Sequence, residues 1–574
     1  MDTTCSVWGY SMEDLNLKVL EKPTISLLWP NDESYNLWMS DAVYTGRFVR
    51  DLSIDMVLNE IGFERAEREK IKLLFANLCT DEEVLQYRLD IMQDFLENDW
   101  ILDNFKEFVK TMDFIRSCSK ERFENVKGIH VQTYFFEKAS AYTALITGIR
   151  DCLKERNVNI KSEGLKKLLD YVNRIAEENE FRTMTEEIKR ITEEYENIPD
   201  VYLEISYYLG LKEISFNVEK SKKHTPFKEP LISQLLSNGE AFLDNNDKKY
   251  MNIYYDARFS RLEEIIFERL EAKKPVVLDS LRNFYNKYSE QDFEDICNLK
   301  TEAEFYIKFT ELIKRIERLG LKFCKPVIAK DQENNTKIDG LYDLTLALQR
   351  IKDGKYELYK EVVCNDLRFD KDGEIFVLTG PNKGGKTTYI RSVGIAQILF
   401  QAGCFVPASR AQMSIVDAIH THFPEEEALG IDKGRLGKEA ERISIIINSS
   451  TSKSLVLLNE TFSSTREVDG YYLGRDVLKI LMKLKCKGIY VTHFSELADD
   501  IDALNEEVPD GSKLAGLVAG IEDIDNKGLV GDRTYKIKRM KSVGLGYSRD
   551  IVLKHGLSSE QIIELLKMRG YIPR

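Results

Sequence analysis

The sequence is poor in the features that mark secreted, membrane-bound or disordered proteins. It has 12 prolines and nine cysteines in 574 residues, and no two cysteines form a C-x-x-C pair. No apolar run approaches the roughly 18 residues of a membrane-spanning helix. Asp2, Glu13 and Asp14 stand where a signal peptide needs positive charge followed by an apolar stretch. We therefore expect a largely folded, cytoplasmic protein with reduced thiols and no membrane partner.

The chain also lacks an overall basic charge. Its formal net charge is −14, whereas a DNA-binding protein needs at least a local basic surface. The most basic stretch of the N-terminal half is "FNVEKSKKHTPFKEP" (216–230), which contains Lys220, Lys222, Lys223 and Lys228. The simpler interpretation is a solvated loop, and the alternative is a contact with phosphates at the tip of a projecting arm.

Two regions differ in hydrophobic pattern. From about residue 41 to 322, apolar residues recur at helical spacing, as at Leu165, Leu168, Leu169 and Val172. After residue 322, short apolar runs such as 375–378, 455–458 and 489–491 alternate with helical segments, which is typical of buried strands in an α/β domain. The pattern predicts an N-terminal segment (1–40), a mainly helical domain (41–322) and an α/β domain (323–574).

A glycine-rich stretch in the second region predicts a nucleotide site. "VLTGPNKGGKTTYIR" (377–391) fits G-x-x-x-x-G-K-[ST] and lies between a predicted strand and a predicted helix. Backbone amides of such a turn bind phosphate oxygens, the lysine reaches the terminal phosphates and the hydroxyl of Thr387 binds Mg²⁺. The predicted ATP-binding residues are Gly380, Pro381, Asn382, Lys383, Gly384, Gly385, Lys386, Thr387 and Thr388.

Two further strands should end beside these phosphates. "SLVLLNETFSSTREVDG" (454–470) places Asn459 and Glu460 after a buried run, and "GIYVTHF" (488–494) places His493 after the next. Glu460 is the candidate base that polarises the attacking water, and His493 is a candidate hydrogen-bond partner of the γ-phosphate or that water. Asn459 has an oxygen for a metal-bound water but no charge, so we expect slow hydrolysis.

The nucleotide is more consistent with ATP than with GTP. A GTPase needs an N-K-x-D type motif after the phosphate loop, and "NKGL" (526–529) lacks the aspartate. The sequence thus predicts a Mg²⁺-dependent ATPase.

Taken together, these motifs resemble the MutS family of DNA mismatch-repair ATPases. The similarity runs from about Cys324 to Tyr547, and "LCTDEEVLQYRLDIMQDFL" (78–96) is similar to the helical core of that family. The resemblance implies a helical core and lever with a clamp-like arm at about 195–260, followed by an ABC-type ATPase domain with a C-terminal helical dimerisation segment. It also implies a homodimer on DNA, with Gly434 and Arg435 of each copy in a signature loop facing the partner's nucleotide.

The sequence departs from the family pattern at several places. Leu436 and Gly437 stand where the signature loop has serine and threonine, and Asn459 replaces an aspartate. We expect neither the family's N-terminal mismatch-reading domain nor the C-terminal Smr domain of longer relatives, and hence no direct mismatch recognition.

The resulting hypothesis is an ATP-dependent DNA-binding protein in which nucleotide binding and slow hydrolysis switch a dimeric clamp, in DNA repair or recombination. The alternative is a nucleotide-binding scaffold or interaction protein that does not hydrolyse ATP. A chromosome-organising ABC-type ATPase is disfavoured, because its half-motifs are separated by a long coiled coil.

Two other stretches are assigned to structure. "HTH" (420–422) has a spacing that can bind zinc, but no further cysteine or histidine lies near it in the sequence. "RTYKIKRMK" (533–541) alternates like a solvated edge strand, which we favour over a DNA contact.

Overall fold

The computed structural model describes residues 24–40, 47–118, 129–155, 160–196, 201–207, 211–218, 275–330, 335–424, 435–520, 534–540, 559–569 and 571. Contacts divide them into two compact units. Unit 1 contains the described residues of 29–93 and 308–574, and unit 2 contains those of 18–28 and 94–307. Within the described ranges, none of the helices has the length and apolar character needed to cross a lipid bilayer.

Unit 2 is mainly helical. Its helices are Asp99–Ser117, Ile129–Glu155, Glu163–Glu177, Asn179–Glu196 and Pro275–Tyr288, with a 3₁₀ helix at Asp295–Leu299. The long helix Ile129–Glu155 packs against all four of the other α-helices. Strands β1 (Val201–Tyr207) and β2 (Leu211–Val218) form an antiparallel pair.

The helical stripes of the sequence lie where the pattern predicts them. Leu165, Leu168 and Val172 are buried on the helix Glu163–Glu177, and the helix Lys300–Arg318 precedes Gly320, whose φ of 94° is left-handed. Helix Glu82–Glu97 begins in unit 1 and ends in unit 2, whereas Lys300–Arg318 begins in unit 2 and ends in unit 1.

Unit 1 combines helices with two sheets. Its further helices are Asp32–Ser40, Arg47–Asp51, Ile54–Ile61, Arg65–Ala76, Leu344–Lys352, Leu358–Glu361, Lys386–Ala402, Arg435–Ser449, Glu467–Leu484, Ser495–Asp499, Ile501–Glu507 and Ser559–Met568. Its strands are β3 (Val327–Ile328), β4 (Thr336–Leu341), β5 (Asn365–Phe369), β6 (Ile375–Thr379), β7 (Arg410–Met413), β8 (Ile419–His422), β9 (Leu455–Asn459), β10 (Lys487–Val491), β11 (Leu514–Ala519) and β12 (Ile537–Arg539).

The larger sheet has six strands in the order β12-β11-β6-β10-β9-β8. The five strands from β11 to β8 are parallel, and β12 is antiparallel at the edge. Every residue of β6, β9 and β10 is buried, because helix Lys386–Ala402 contacts β9 and β10 while Glu467–Leu484 contributes to the apolar core around β6 and β9. The predicted strands at 375–378, 455–458 and 489–491 are confirmed.

The smaller sheet has the order β3-β7-β4-β5. Its edge strand β5 begins at Asn365 and directly precedes β6 in the chain. A mixed helical and α/β fold is therefore present, as the sequence predicts. The boundary near residue 322, and the lever, clamp, ATPase and dimerisation domains, stay predictions.

Candidate functional site

The glycine-rich turn connects β6 to the helix Lys386–Ala402 and has an unusual backbone. Gly380, Lys383 and Gly385 all have positive φ, at 135°, 61° and 93°. A side chain at Gly380 would place its Cβ 2.8 Å from the carbonyl oxygen of Ala519 in β11. Glycine is therefore required at residue 380 by both the conformation and the close approach of β11.

Lys386 lies over the inside of this turn. Its side chain is 4% exposed, and Nζ donates to the carbonyl oxygens of Gly380 (2.8 Å) and Pro381 (3.1 Å). Burial lowers the pKa of Lys386, and the negative charge of Glu460 opposes that shift. An ammonium group and the N-terminus of a 17-residue helix thus meet at one turn, which favours bound phosphate.

Thr387 and Asn459 are neighbours, although 72 residues separate them in the chain. The Thr387 hydroxyl lies 3.5 Å from Oδ1 of Asn459, at the carboxyl end of β9. A hydroxyl and an amide oxygen side by side fit a Mg²⁺ ion that keeps most of its waters. Among the described residues there is no group of three His, Cys, Asp or Glu side chains that would hold a metal by itself.

Glu460 and His493 converge from adjacent strands. Oε1 of Glu460 lies 3.7 Å from Nδ1 of His493, and their side chains are 29% and 39% exposed. Glu460 has a φ of 52°, a left-handed conformation that is unfavourable for a non-glycine residue. Its amide donates to Val491 O at 2.9 Å, so the end of β10 supports this backbone. The arrangement directs an acid and an imidazole toward the same place.

The phosphate turn and Glu460 open onto a cavity of about 370 Å³. Glu460 and the residues from Lys383 to Thr388 line one part of it. The remaining wall is formed by Leu341, Tyr342, Asp343, Leu346, Arg350, Glu361, Val363, Asn365, Tyr389, Ser392 and Tyr535. The volume lies in the range of small-molecule sites, which run from about 300 to 1,000 Å³.

Asn365 and Tyr535 belong to this wall, and neither was predicted as a site residue from the sequence. Asn365 Nδ2 donates to Tyr535 O (3.2 Å), and Ile537 N donates to Asn365 Oδ1 (2.8 Å). Lys536 Nζ donates to Cys364 O at 2.6 Å. Tyr535 itself has a φ of 53° and is 44% exposed. Two features of the sequence could have indicated them. Tyr535 is an aromatic residue within the charged stretch 533–541, and Asn365 is a polar residue at the start of β5.

Another wall is fixed to the helix that follows the turn. Arg391 donates to Oδ2 of Asp343, with Nε at 2.7 Å and Nη2 at 2.5 Å. Oδ1 of the same fully buried carboxylate accepts from Thr345 N at 2.9 Å and caps the helix Leu344–Lys352. The helix that carries Leu346 and Arg350 is thereby tied to the helix that begins at Lys386.

Several predicted residues can be placed only in part. Gly384 and Thr388 line the cavity, whereas Asn382 is exposed on the turn. Arg435 begins a helix, while Gly434 lies outside the described residues. Also outside them are Lys220, Lys222, Lys223 and Lys228.

The stretches assigned to structure lie in strands. His420 and His422 are both in β8, and no metal-binding group of three is found around them in the described part of the chain. Ile537–Arg539 is the edge strand β12, as its alternation predicts.

Comparison with known families gives two matches. Residues 376–513 match the family described as MutS domain V, and residues 80–319 match the MutS2 N-terminal domain. The first match covers the turn at 380–387, Asn459, Glu460 and His493. The second lies in the mainly helical part of the sequence.

Individual relatives are similar over part of their length. The chain is 28% identical over 270 residues to a DNA mismatch repair protein MutS of Thermosipho melanesiensis, which covers 46% of this chain and 29% of the relative. A protein of the same name from Caldanaerobacter subterraneus is 28% identical over 291 residues (46% and 30%). One from Clostridium botulinum is 32% identical over 208 residues (34% and 22%). The aligned part spans less than a third of each of these three relatives.

Proposed function

Because this chain belongs to the MutS family, we propose that it is an ATP-dependent DNA-binding protein whose nucleotide state controls a dimeric clamp. One observation carries the nucleotide part of this proposal. The phosphate turn, the Thr387–Asn459 pair and the Glu460–His493 pair all meet at the carboxyl ends of neighbouring parallel strands.

The turn would bind the phosphates of ATP. Backbone amides of residues 382–386 would donate to phosphate oxygens, and Lys386 would exchange its two carbonyl partners for the β- and γ-phosphates. Thr387 and Asn459, the latter through water, would hold Mg²⁺, which neutralises charge that develops on the phosphates. The lowered pKa of Lys386 does not oppose this role, since phosphate charge favours the protonated lysine.

Hydrolysis would depend on Glu460 and His493. The Glu460 carboxylate polarises a water for attack on the γ-phosphorus, and His493 donates a hydrogen bond to the γ-phosphate or to that water. Asn459 brings no negative charge to the Mg²⁺ site, so the ion is held less firmly than by aspartate. We therefore propose slow turnover, with ATP acting as a switch.

The wall around Tyr535 would hold the base. The ring of Tyr535 is placed 3.5 Å from the position that a Cβ on Gly385 would occupy, directly beside the phosphate turn. Val363 contributes apolar surface, and Asn365 fixes the Tyr535 backbone. An aromatic ring at this distance from the phosphates suits stacking on adenine.

The DNA and partner parts of the proposal rest on the family and on the sequence. Gly434 and Arg435 would face the nucleotide of a second copy, and the helix Ser559–Met568 would add to the dimer contact. Lys220, Lys222, Lys223 and Lys228 would contact DNA phosphates. ATP can change the clamp only by binding one dimer arrangement more tightly, and typical coupling of this kind is about 1 to 3 kcal/mol.

The test is ATP hydrolysis at fixed salt, with and without Mg²⁺ and DNA, by the wild type and Glu460→Gln. We expect Mg²⁺-dependent phosphate release that Glu460→Gln reduces at least about 100-fold with ATP affinity retained. DNA affinity should differ between ATP and no nucleotide. Equal hydrolysis by both proteins would refute the role of Glu460, and no ATP binding would refute the proposal.

A scaffold that binds ATP without hydrolysing it is the second candidate. The observation that favours it is Asn459, an uncharged amide where charge would strengthen the Mg²⁺ site. In that case calorimetry would detect ATP binding, while phosphate release by the wild type would equal that of Glu460→Gln.

A further inference from the structure

The residue after Glu460 is held by a buried hydrogen bond. Oγ1 of Thr461 lies 3.2 Å from Nδ1 of His422, at the carboxyl end of β8. Thr461 is 1% exposed and His422 2% exposed, so water does not compete for this bond. The loop that carries the acid is therefore attached to a strand that contributes no residue to the cavity wall.

His422 is suited to a permanent structural bond because it stays neutral. Burial, together with the positive charges of Arg442 and Arg47, lowers the pKa of His422 to about 3. A neutral imidazole has one donor and one acceptor nitrogen, and a hydroxyl can pair with either. Protonation of the imidazole therefore does not break the bond to Thr461 near neutral pH.

The backbone on both sides of His422 is fixed by one guanidinium. Nη2 of Arg442 donates to the carbonyl oxygen of Thr421 at 3.0 Å, and Nη1 donates to that of Phe423 at 3.2 Å. It also forms an ion pair with Asp51, which accepts from Thr421 Oγ1 at 2.7 Å. The Arg442 and Asp51 side chains are 8% and 6% exposed. The backbone at His422 is therefore held through both of its neighbours, and the ring is held by the bond to Thr461.

We propose that His422 and Thr461 are positioning residues for Glu460, and that Arg442 and Asp51 hold His422 in place. The left-handed backbone of Glu460 persists only if its surroundings hold it. Val491 O fixes the amide of Glu460, and the Thr461–His422 bond fixes the next residue. This inference rests on the proposed hydrolytic role of Glu460.

The first experiment removes one hydroxyl without changing the shape of the side chain. Thr461→Val loses the bond to His422, and Thr336→Val is the matched control. Thr336 is also buried and hydrogen-bonded, at 2.9 Å to Ser414, but lies at the opposite end of β4 from the cavity residue Leu341. The readouts are single-turnover ATP hydrolysis, ATP affinity by calorimetry and melting temperature.

We expect Thr461→Val to slow hydrolysis on the order of tenfold, because small displacements of a catalytic group have large effects on rate. The dissociation constant for ATP should stay within about twofold, since the phosphate turn is unchanged. Thr461→Ser should restore most of the rate. Thr336→Val should lower the melting temperature alone, which separates positioning from general stability.

The second experiment asks which atom of His422 matters. An asparagine side chain can place its amide near the position of Nδ1, whereas a glutamine amide extends toward the position of Nε2. We expect His422→Asn to hydrolyse ATP roughly several-fold faster than His422→Gln, because only the asparagine amide can replace Nδ1 as the partner of Thr461 and so keep Glu460 in position. Rates are normalised to the sites that bind ATP, so a partly unfolded variant still gives a defined rate.

The outcomes distinguish this inference from the proposed function. If Glu460→Gln abolishes hydrolysis while Thr461→Val and both His422 variants hydrolyse like the wild type, the positioning role is overturned and the function stands. If Glu460→Gln hydrolyses like the wild type, the proposed catalytic role of Glu460 is refuted, and the positioning role is overturned with it. Slower hydrolysis with unchanged affinity in Thr461→Val and His422→Gln supports the inference.

Discussion

Polar side chains at the carboxyl ends of the parallel strands in the larger sheet differ in exposure and pairing from those at the amino ends. At the carboxyl ends, Glu460 and His493 are about one third exposed, and Glu460 lines the cavity. At the amino ends, Lys487 is buried and bonded to Ser414 (2.6 Å), and Ser454 donates to Asp417 at 2.8 Å. Polar groups that satisfy one another are structural, whereas those that converge on open space are available to a ligand.

Each end of the parallel strands has a buried lysine, Lys386 after the carboxyl end of β6 and Lys487 at the amino end of β10. Lys386 and Lys487 are 4% and 5% exposed, and burial lowers the pKa of both. Lys386 lines the cavity and donates to two backbone carbonyl oxygens. Lys487, which does not line the cavity, donates to the hydroxyl of Ser414. Two equally buried lysines can therefore have different roles, one available to a ligand and the other structural.

The largest expected effect concerns the stability of the amino end. Burial lowers the pKa of Lys487 from its ordinary value of 10.5 to about 8. Below pH 8 both the folded and unfolded chains are protonated there, and the buried charge destabilises the fold in full. Between pH 8 and 10.5 the folded chain has released its proton and the unfolded chain has not, so stability rises with pH.

Relative to Lys487→Met, the wild type should therefore gain on the order of 3 kcal/mol of unfolding free energy from pH 7 to pH 10.5. Urea unfolding of both proteins across this range measures the difference. A constant difference would mean that Lys487 is not a buried charge. ATP affinity should be the same in both proteins at pH 7.

The next effect concerns binding at the carboxyl end. Lys386→Met removes a charged donor to phosphate, and losses of this kind are worth about 1.5 to 3 kcal/mol, or about 10- to 100-fold in ATP affinity. Unfolding free energy should not fall, because a buried ammonium is removed as well. Calorimetry and urea unfolding test both parts. If Lys386→Met lost stability while its ATP affinity was unchanged, Lys386 would be a structural residue and not a phosphate-binding one.

A smaller effect follows from adding charge to the carboxyl end. Asn459→Asp places a carboxylate beside Thr387 and should lower the Mg²⁺ concentration for half-maximal hydrolysis on the order of tenfold. The control is Asn448→Asp, which adds the same charge at an exposed helix position. An equal response in both variants would mean that Asn459 does not contribute to the Mg²⁺ site.

The smallest effect concerns one hydrogen bond at the amino end. Ser454→Ala removes the donor to Asp417 and the acceptor for Thr451 N. We expect a loss of about 1 kcal/mol in unfolding free energy, with hydrolysis unchanged. A change in ATP affinity would contradict the separation of the two ends.

The sequence predicted the parts of this structure that depend on local pattern. The strands β6, β9 and β10 and the glycine-rich turn follow from short runs in which neighbouring residues share one environment. Because parallel strands end on the same side, the meeting of Glu460 and His493 followed from the order of the motifs. Their roles remain predictions.

Contacts between distant segments could not be predicted in this way. Asn365 and Tyr535 are 170 residues apart, and Asp51 and Arg442 are 391 residues apart. No periodicity connects such pairs, since they are brought together only when the sheets and helices pack. An aspartate at the end of a short helix and an arginine amid polar residues look like solvent-exposed positions until their burial is known.

The edge position of β12 has a consequence for nucleotide recognition. Ile537–Arg539 pairs in the sheet with β11 alone, while the side chain of Asn365 accepts from Ile537 N and donates to Tyr535 O just before the strand. A nucleotide with its phosphates in the turn and its base on Tyr535 would fasten this strand from a second direction. Inorganic tripolyphosphate has no base to contact Tyr535, so amide hydrogen exchange in β12 should slow on binding the nucleotide and not on binding tripolyphosphate.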